Sequence, residues 1–358
     1  MNRTLIRVLR NCSVAGAVLY ADYHVTGILP SLAVRAATLA LPAQADWATR
    51  VLRLATRAGC SSNTMTQLGQ SQTIDAVVAQ LSRALEAPAG DNGASVRSLL
   101  QLLDQCANSP LTHAAIVRTR IVGRLCDDEP SLRSGGVDLH ALSSLLAKLS
   151  ASDVFGEVTQ RELYTTNGAL RCCSRLCAAT PDVFVQERVA LTLRHLAQAK
   201  SLQQRMLDDG VLAVLAEIAA RGDVESGAHV VAALASLADG PERRDVALAL
   251  AGSDLWLTCL RRWALLKQHS DVRLHAAETL AHILHAAPDD ATVVSVLRRV
   301  GVDVFESLVS SVDSYGFQTV VERCLARLQA QSRNVDTSNE VYIVDASFTT
   351  RRRQIKVS

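Results

Sequence analysis

The sequence predicts an all-α protein built from stacked helical repeats, and three observations lead there. Leu, Ala and Val dominate a chain that is 49% apolar yet only 4% aromatic. Sheets draw on aromatic and β-branched residues, so this balance favours helices. Gly and Pro are sparse and fall mostly between the apolar segments, where they punctuate helices instead of breaking them. From Gly168 onward a unit recurs: a glycine or turn, an apolar helix, a short polar turn with Asp, a longer amphipathic helix, and a short helix into the next unit. Gly168, Gly210, Gly252 and Gly301 open successive units at spacings of 42, 42 and 49 residues. Self-similarity at that period is the mark of repeats that bury their apolar faces on one another.

Taken in order, the first helices are Ile74 to Leu85, Val96 to Leu103 and Ala114 to Leu125, each with apolar residues at three- and four-residue spacing. The stretch Ala87 to Gly93 is a loop by its Pro, Gly, Asp and Asn content. Gly136 opens a short unit through Leu142, Leu145 and Leu149. Gly168 leads through Leu170 and Leu176 to a turn at Pro181 and Asp182, after which a long helix runs from Val183 to Gln198. The unit at Gly210 has an apolar helix from Val211 to Ala220, a turn at Gly222 and Asp223, and a long helix from Val224 to Leu237. A break at Gly240 and Pro241 then precedes a short helix to Ala251. The unit at Gly252 places Trp256, Leu260 and Trp263 on its first helix, and Ser270 and Asp271 cap a helix to about His285. Pro288 ends it, and Thr292 to Val300 forms the short helix. Gly301 opens the last unit, with Leu308 on its first helix and Tyr315 to Leu328 as its second.

Segments such as Gly210 to Leu215 and Asp271 to Leu280 resemble the second and third helices of an armadillo repeat, and the resemblance covers residues 136–330. It implies a right-handed α-solenoid of degenerate armadillo/HEAT-type repeats, with the long helix of each unit lining a concave surface. The Trp and Asn ladder that importin-α-type repeats use for nuclear localisation peptides is not evident. Trp256 and Trp263, seven residues apart on one helix, suit core packing better. The chain therefore reads as an N-terminal helical region at 1–72, a solenoid at 73–331 and an extended basic tail at 332–358. The tail carries a strand-like run, Val341 to Val344, and closes on Arg351, Arg352, Arg353 and Lys356.

The first residues differ from the rest. Arg3, Arg7 and Arg10 lie at helical spacing among apolar residues, and no acid precedes Asp22. A basic, acid-free amphipathic start is what a mitochondrial presequence requires, so a mitochondrial location is expected, with a cytoplasmic one as the alternative. The apolar run from Cys12 to Ala21 is about half the ~20 residues of a membrane span. Residues 1–41 suit peripheral contact with a membrane surface instead. Tyr20 to Tyr23, Trp47 to Leu54 and Gln67 to Gln70 resemble, in order, the region before the catalytic lobes of UbiB-like atypical kinases. That family acts in mitochondrial quinone and lipid metabolism. Its Lys-x-Gly-Gln motif has Gln67 at the Lys position here, and no kinase lobes follow. A neutral amide cannot supply a charge to phosphate.

Net charge is +2, from 37 basic and 35 acidic residues, so no global field draws the chain to nucleic acid. Nine scattered Cys read as reduced and buried. Gly-rich phosphate loops, a Gly-x-Ser-x-Gly elbow and a His-Glu-x-x-His zinc motif are absent from the sequence. No catalytic, cofactor-binding or metal site is expected. His275, Glu278, His282 and His285 fall in one helical stripe, where a partner surface or a plain solvated face fits better than a metal. The function expected is a non-enzymatic scaffold for protein partners. Its candidate contact residues are Arg188, Arg194, His195, His229, His275, Glu278, His282 and Tyr315.

Overall fold

The computed structural model describes residues 73–86, 93–128, 132, 136–151, 156–221, 223–239, 244–287, 289–311, 317–324 and 326. The expected targeting helix, membrane-contacting segment, UbiB-like stretch and strand-like tail all lie outside the described residues. Every regular element among the described residues is helical. In chain order they are α1 (Thr73–Glu86), α2 (Gly93–Cys106), a 3-10 turn (Pro110–Thr112), α3 (His113–Arg118), α4 (Ile121–Asp127) and α5 (Leu139–Ser150). Next come α6 (Gly156–Asn167), α7 (Ala169–Ala179), α8 (Val183–Gln198), α9 (Lys200–Asp208), α10 (Val211–Arg221) and α11 (Val224–Ala238). The rest are α12 (Arg244–Ala251), α13 (Asp254–Ala264), α14 (Ser270–Ala286), α15 (Asp290–Val300) and α16 (Val302–Ser311). Residues 317–324 are also helical.

These helices form triplets of a short first, an apolar second and a third helix: α3-α4-α5, α6-α7-α8, α9-α10-α11 and α12-α13-α14. A fifth triplet is α15, α16 and the helical residues 317–324. The described helices fall into two compact units divided between Ser236 and Leu237. In the first unit, helices of equal rank stack: α3 on α6 and α6 on α9, α4 on α7 and α7 on α10, α5 on α8. In the second, α13 packs on α14, α15 and α16, and α12 on α14.

The apolar stripe of each helix explains the stacking. On α8, Val185, Val189, Leu193 and Leu196 are fully or nearly fully buried, while Phe184, Arg188 and His195 share the other half of the surface. Polar residues at the turns set the helix starts. Asp182 accepts from the backbone N–H groups of Phe184 and Val185, Asp138 from Ala141, Ser253 from Trp256 and Asp289 from Thr292.

Three local expectations change. Ala114 to Leu125 is not one helix but two, because Arg120 takes a left-handed φ of 57° between α3 and α4. The unit expected to open at Gly136 is instead a third-rank helix: α5 packs along α8, and its first and second helices are α3 and α4. Ser270 lies inside α14, and the preceding His269 makes no side-chain capping bond.

Within the first unit, polar bonds tie each triplet to the next. Asn167, fully buried at the end of α6, donates to the Val117 carbonyl of α3 at 3.0 Å. Gly123 of α4 lies beside it, and a Cβ there would come within 2.9 Å of the Asn167 carbonyl oxygen. Only hydrogen fits that approach. Arg175 donates to the Cys126 carbonyl at 2.6 Å, and Arg221 to the Cys177 carbonyl at 3.1 Å. In each case a second-rank helix reaches the open carbonyl end of the second-rank helix before it. Cys106, Cys126, Cys172, Cys173, Cys177, Cys259 and Cys324 are all buried free thiols. Burial pushes the Cys106 thiol up to about 12, so it stays protonated and behaves as a small hydrophobe.

Candidate functional site

The candidate residues that the structure describes all lie on third-rank helices. Arg188, Arg194 and His195 are on α8 and His229 is on α11, all in the first unit. His275, Glu278 and His282 are on α14 in the second. Tyr315 lies outside the described residues.

In the second unit the stripe is internally matched. His275 Nδ1 lies 3.0 Å from Glu278 Oε2 one turn along the helix. Burial holds the His282 pKa below the usual histidine range, opposed by the charges of Asp239 and Glu278. Among the described residues no cluster of three or more His, Cys, Asp or Glu side chains is placed to hold a metal.

The first unit differs. His195 is anchored: its Nδ1 lies 3.1 Å from Ser150 Oγ at the end of α5. The Ser150 hydroxyl already donates to the Ala147 carbonyl at 2.9 Å, so the imidazole Nδ1–H is the donor to Ser150. His195 therefore works as a strut between third helices. Arg194 reaches the other way, its Nη1 donating toward Nδ1 of His229 on α11 at 3.4 Å. Arg188 lies over the Phe184 ring at 5.0 Å.

Two residues missed at the sequence level complete this face. Phe184 is 36% exposed at the first turn of α8, and His140 of α5 stacks on it with ring centroids 4.9 Å apart. His140 Nε2 also lies 3.3 Å from Asp182. Phe184 thus touches both an imidazole and a guanidinium and remains part-exposed. The available signal was an aromatic residue four positions before an arginine on a long helix, in a chain with few aromatics.

Several other partly buried basic groups have acidic partners: Lys148 with Asp104 at 2.7 Å, Arg175 with Asp127 at 2.8 Å, Arg221 with Glu217 at 2.9 Å. Arg188 and Arg194 are half-buried, and among the described residues neither has an acidic partner within ion-pair distance. The Nε atom of each is buried without a hydrogen-bond partner. An unmatched guanidinium N–H out of contact with water is costly unless something meets it. The positive field also registers on His229, whose pKa is lowered to about 4 by burial first, then by Arg194, His195 and Arg188.

Crystal structures of two engineered proteins, both Northeast Structural Genomics Consortium targets, are similar to this chain. One aligns with a TM-score of 0.54 at 17% identity, over 95% of this chain and 96% of that one. The other aligns with a TM-score of 0.50 at 20% identity, over 70% of this chain and 96% of that one. The fold is an all-α solenoid. At such identities the likeness carries the fold alone, because one solenoid architecture serves many unrelated roles. No protein-family model and no curated protein matches the chain. No helix among the described residues is long and apolar enough to cross a membrane.

The depressed His229 pKa makes a stability prediction for this solenoid. Unfolded, His229 takes up a proton near its ordinary value of 6.5; folded, it resists until about 4. Between those limits the unfolded state binds more protons, so stability falls as pH drops through that window. With allowance for partial solvent exposure, the loss is about 1–2 kcal/mol. Urea midpoints of wild type and His229→Gln, measured from neutral pH to pH 4.5, check it. The variant should show the shallower decline, and equal slopes would remove His229 as the cause.

Proposed function

We propose that this protein is a non-enzymatic interaction scaffold with armadillo-type repeats, and that it takes its partner on the third-helix face of the first unit. The observation that carries this reading is the pair Arg188 and Arg194. Both are half-buried and lack acidic partners among the described residues, and Arg188 lies over the exposed Phe184 ring. A solenoid unit offers extended helix faces suited to long contacts, and such folds usually bind rather than catalyse. We further propose a mitochondrial location, supported by Arg3, Arg7 and Arg10 at helical spacing in an acid-free start. The UbiB-like order of residues 3–70 supports the same compartment.

Site-specific photo-crosslinking in cells tests the scaffold reading. A photoreactive residue at Leu191 on α8 should yield one dominant crosslinked species. The same residue at Lys200, exposed on the short helix α9, should not. Crosslinks of equal strength at both positions, or none at Leu191, would reject the third-helix face. Fractionation of the tagged protein checks the compartment, and recovery in the cytosol alone would reject it.

A further inference from the structure

We propose that the third-helix face of α8 and α11 is a docking site for an acidic peptide segment, with Arg188 and Arg194 as its carboxylate receptors and Phe184 as its apolar anchor. The inference rests on the scaffold reading and assigns the chemistry of the partner.

The charge inventory of this face leads there. Arg188 and Arg194 are its two fixed positive charges; His229, with its pKa lowered to about 4, is uncharged near neutral pH, and His195 is taken up by Ser150. The acids nearest in sequence are Asp182 and Glu187 on the α8 side and the exposed Glu225, four residues before His229, on α11. Asp182 is engaged, since it caps α8 and contacts His140. Glu187 is half-buried and forms no ion pair with any described residue. Two half-buried guanidinium groups on this face are thus left without a carboxylate among the described residues. The complement is an anion, and guanidinium forks match carboxylates in bidentate geometry.

The arrangement favours a peptide over a polyanion of phosphates. Phe184 and its exposed neighbour Val183, at 36% and 56% exposure, put apolar surface at the start of α8. A helix rise of 1.5 Å per residue sets Arg194 about 15 Å further along, the length of about four to five extended residues. An apolar side chain on Phe184 and carboxylates on the two arginines suit a segment that mixes acidic and apolar residues. A nucleic acid would need a longer basic track with further stacking rings, and a membrane surface would need a denser cationic patch.

The test is fluorescence anisotropy on the full chain with a labelled peptide of glutamates interspersed with leucines. The same peptide with glutamine at every glutamate is the control. The Glu peptide should bind about tenfold to a hundredfold more tightly than the Gln peptide, and weaken as salt rises. Arg188→Gln with Arg194→Gln should erase the difference. Arg188→Lys with Arg194→Lys should keep part of it, because charge remains while the fork is lost. Unchanged thermal melting by circular dichroism certifies that each variant folds. No binding of the Glu peptide, equal binding of the Gln peptide, or full affinity in the double-glutamine variant would overturn the proposal. So would preferential binding of a single-stranded oligonucleotide or of phosphatidylserine vesicles, which assigns the arginines to phosphate. The two readings separate cleanly. A Leu191 crosslink that persists in the double-glutamine variant rejects the acidic-peptide site and leaves the scaffold standing. Arginine-dependent Glu-peptide binding without any cellular crosslink does the reverse.

Discussion

Replacing Trp263 by Ala is expected to lower the stability of the second unit by about 3–5 kcal/mol. Trp263 is 1% exposed and heads the fully buried side chains by volume. It sits on α13, which packs against α14, α15 and α16, so a cavity there removes dispersion contacts from several helices together. Opposing this, the indole Nε1–H is buried with no hydrogen-bond partner among the described residues. An unsatisfied donor of that kind costs about 1–3 kcal/mol, and the Ala variant also abolishes it. The cavity effect exceeds this relief because the indole fills far more volume than one N–H desolvates. Trp263→Phe separates the two. It keeps most of the ring, loses the orphaned donor and should cost less than about 1.5 kcal/mol. Urea denaturation followed by circular dichroism gives both numbers. A Phe variant as unstable as the Ala variant would mean that the indole N–H has a partner such as a bound water, and that the ring volume is not the main contribution.

The same residue shows how much of the core is legible in the sequence. Trp263 lies seven residues after Trp256 on an apolar helix, and that spacing alone identifies both as core. The long helix Val183–Gln198 is legible to the residue, because Pro181 and Asp182 end the preceding turn and Asp182 is a capping acid. Helix breaks without Gly or Pro are not. Thr119 and Arg120 carry no turn signal, yet Arg120 adopts a left-handed conformation that splits the expected Ala114 to Leu125 helix. The misplaced unit at Gly136 has the same cause, since a single helix over Ala114 to Leu125 hides the first two members of its triplet.

The candidate site is legible only in part. Helical spacing places Arg188 and His195 on one stripe of α8. No local pattern says that His195 meets Ser150, 45 residues earlier, or that Phe184 stacks on His140. Those pairings arise from the register of one third helix on the next, which the packing of whole triplets decides. The His275 and Glu278 stripe stands out in sequence for the opposite reason: its partners are within one turn of the same helix, and they satisfy each other.

Register of that kind is held by two glutamines, and removing either should cost about 2–4 kcal/mol. Gln160 on α6 is 2% exposed, and its Nε2 donates to the carbonyls of Ser150 at 2.8 Å and His195 at 3.2 Å. Gln203 on α9 is 6% exposed and repeats the arrangement with the carbonyls of Ala197 at 2.8 Å and Ser236 at 2.9 Å. In both cases a short first helix joins the third helix of the preceding triplet to the third helix of its own. Ser150 and Ala197 are last-turn carbonyls that have no partner further along their helices. Leucine in place of either glutamine nearly conserves volume but strands two buried acceptors, at about 1–2 kcal/mol each. The gain from burying a more apolar side chain is smaller than that loss, because the surrounding carbonyls remain. Gln160→Leu and Gln203→Leu should therefore show similar drops in urea stability. Their double variant should depart from additivity by more than about 0.5 kcal/mol, because both forks grip the last turns of α8. The corresponding short helix α12 of the second unit buries Val246 and Ala247, so among the described residues α12 carries no such fork. In the first unit the fork steadies the helix that presents Arg188 and Arg194. Strict additivity would show that the two forks act on independent joints, and that α8 is held in place by its apolar face alone.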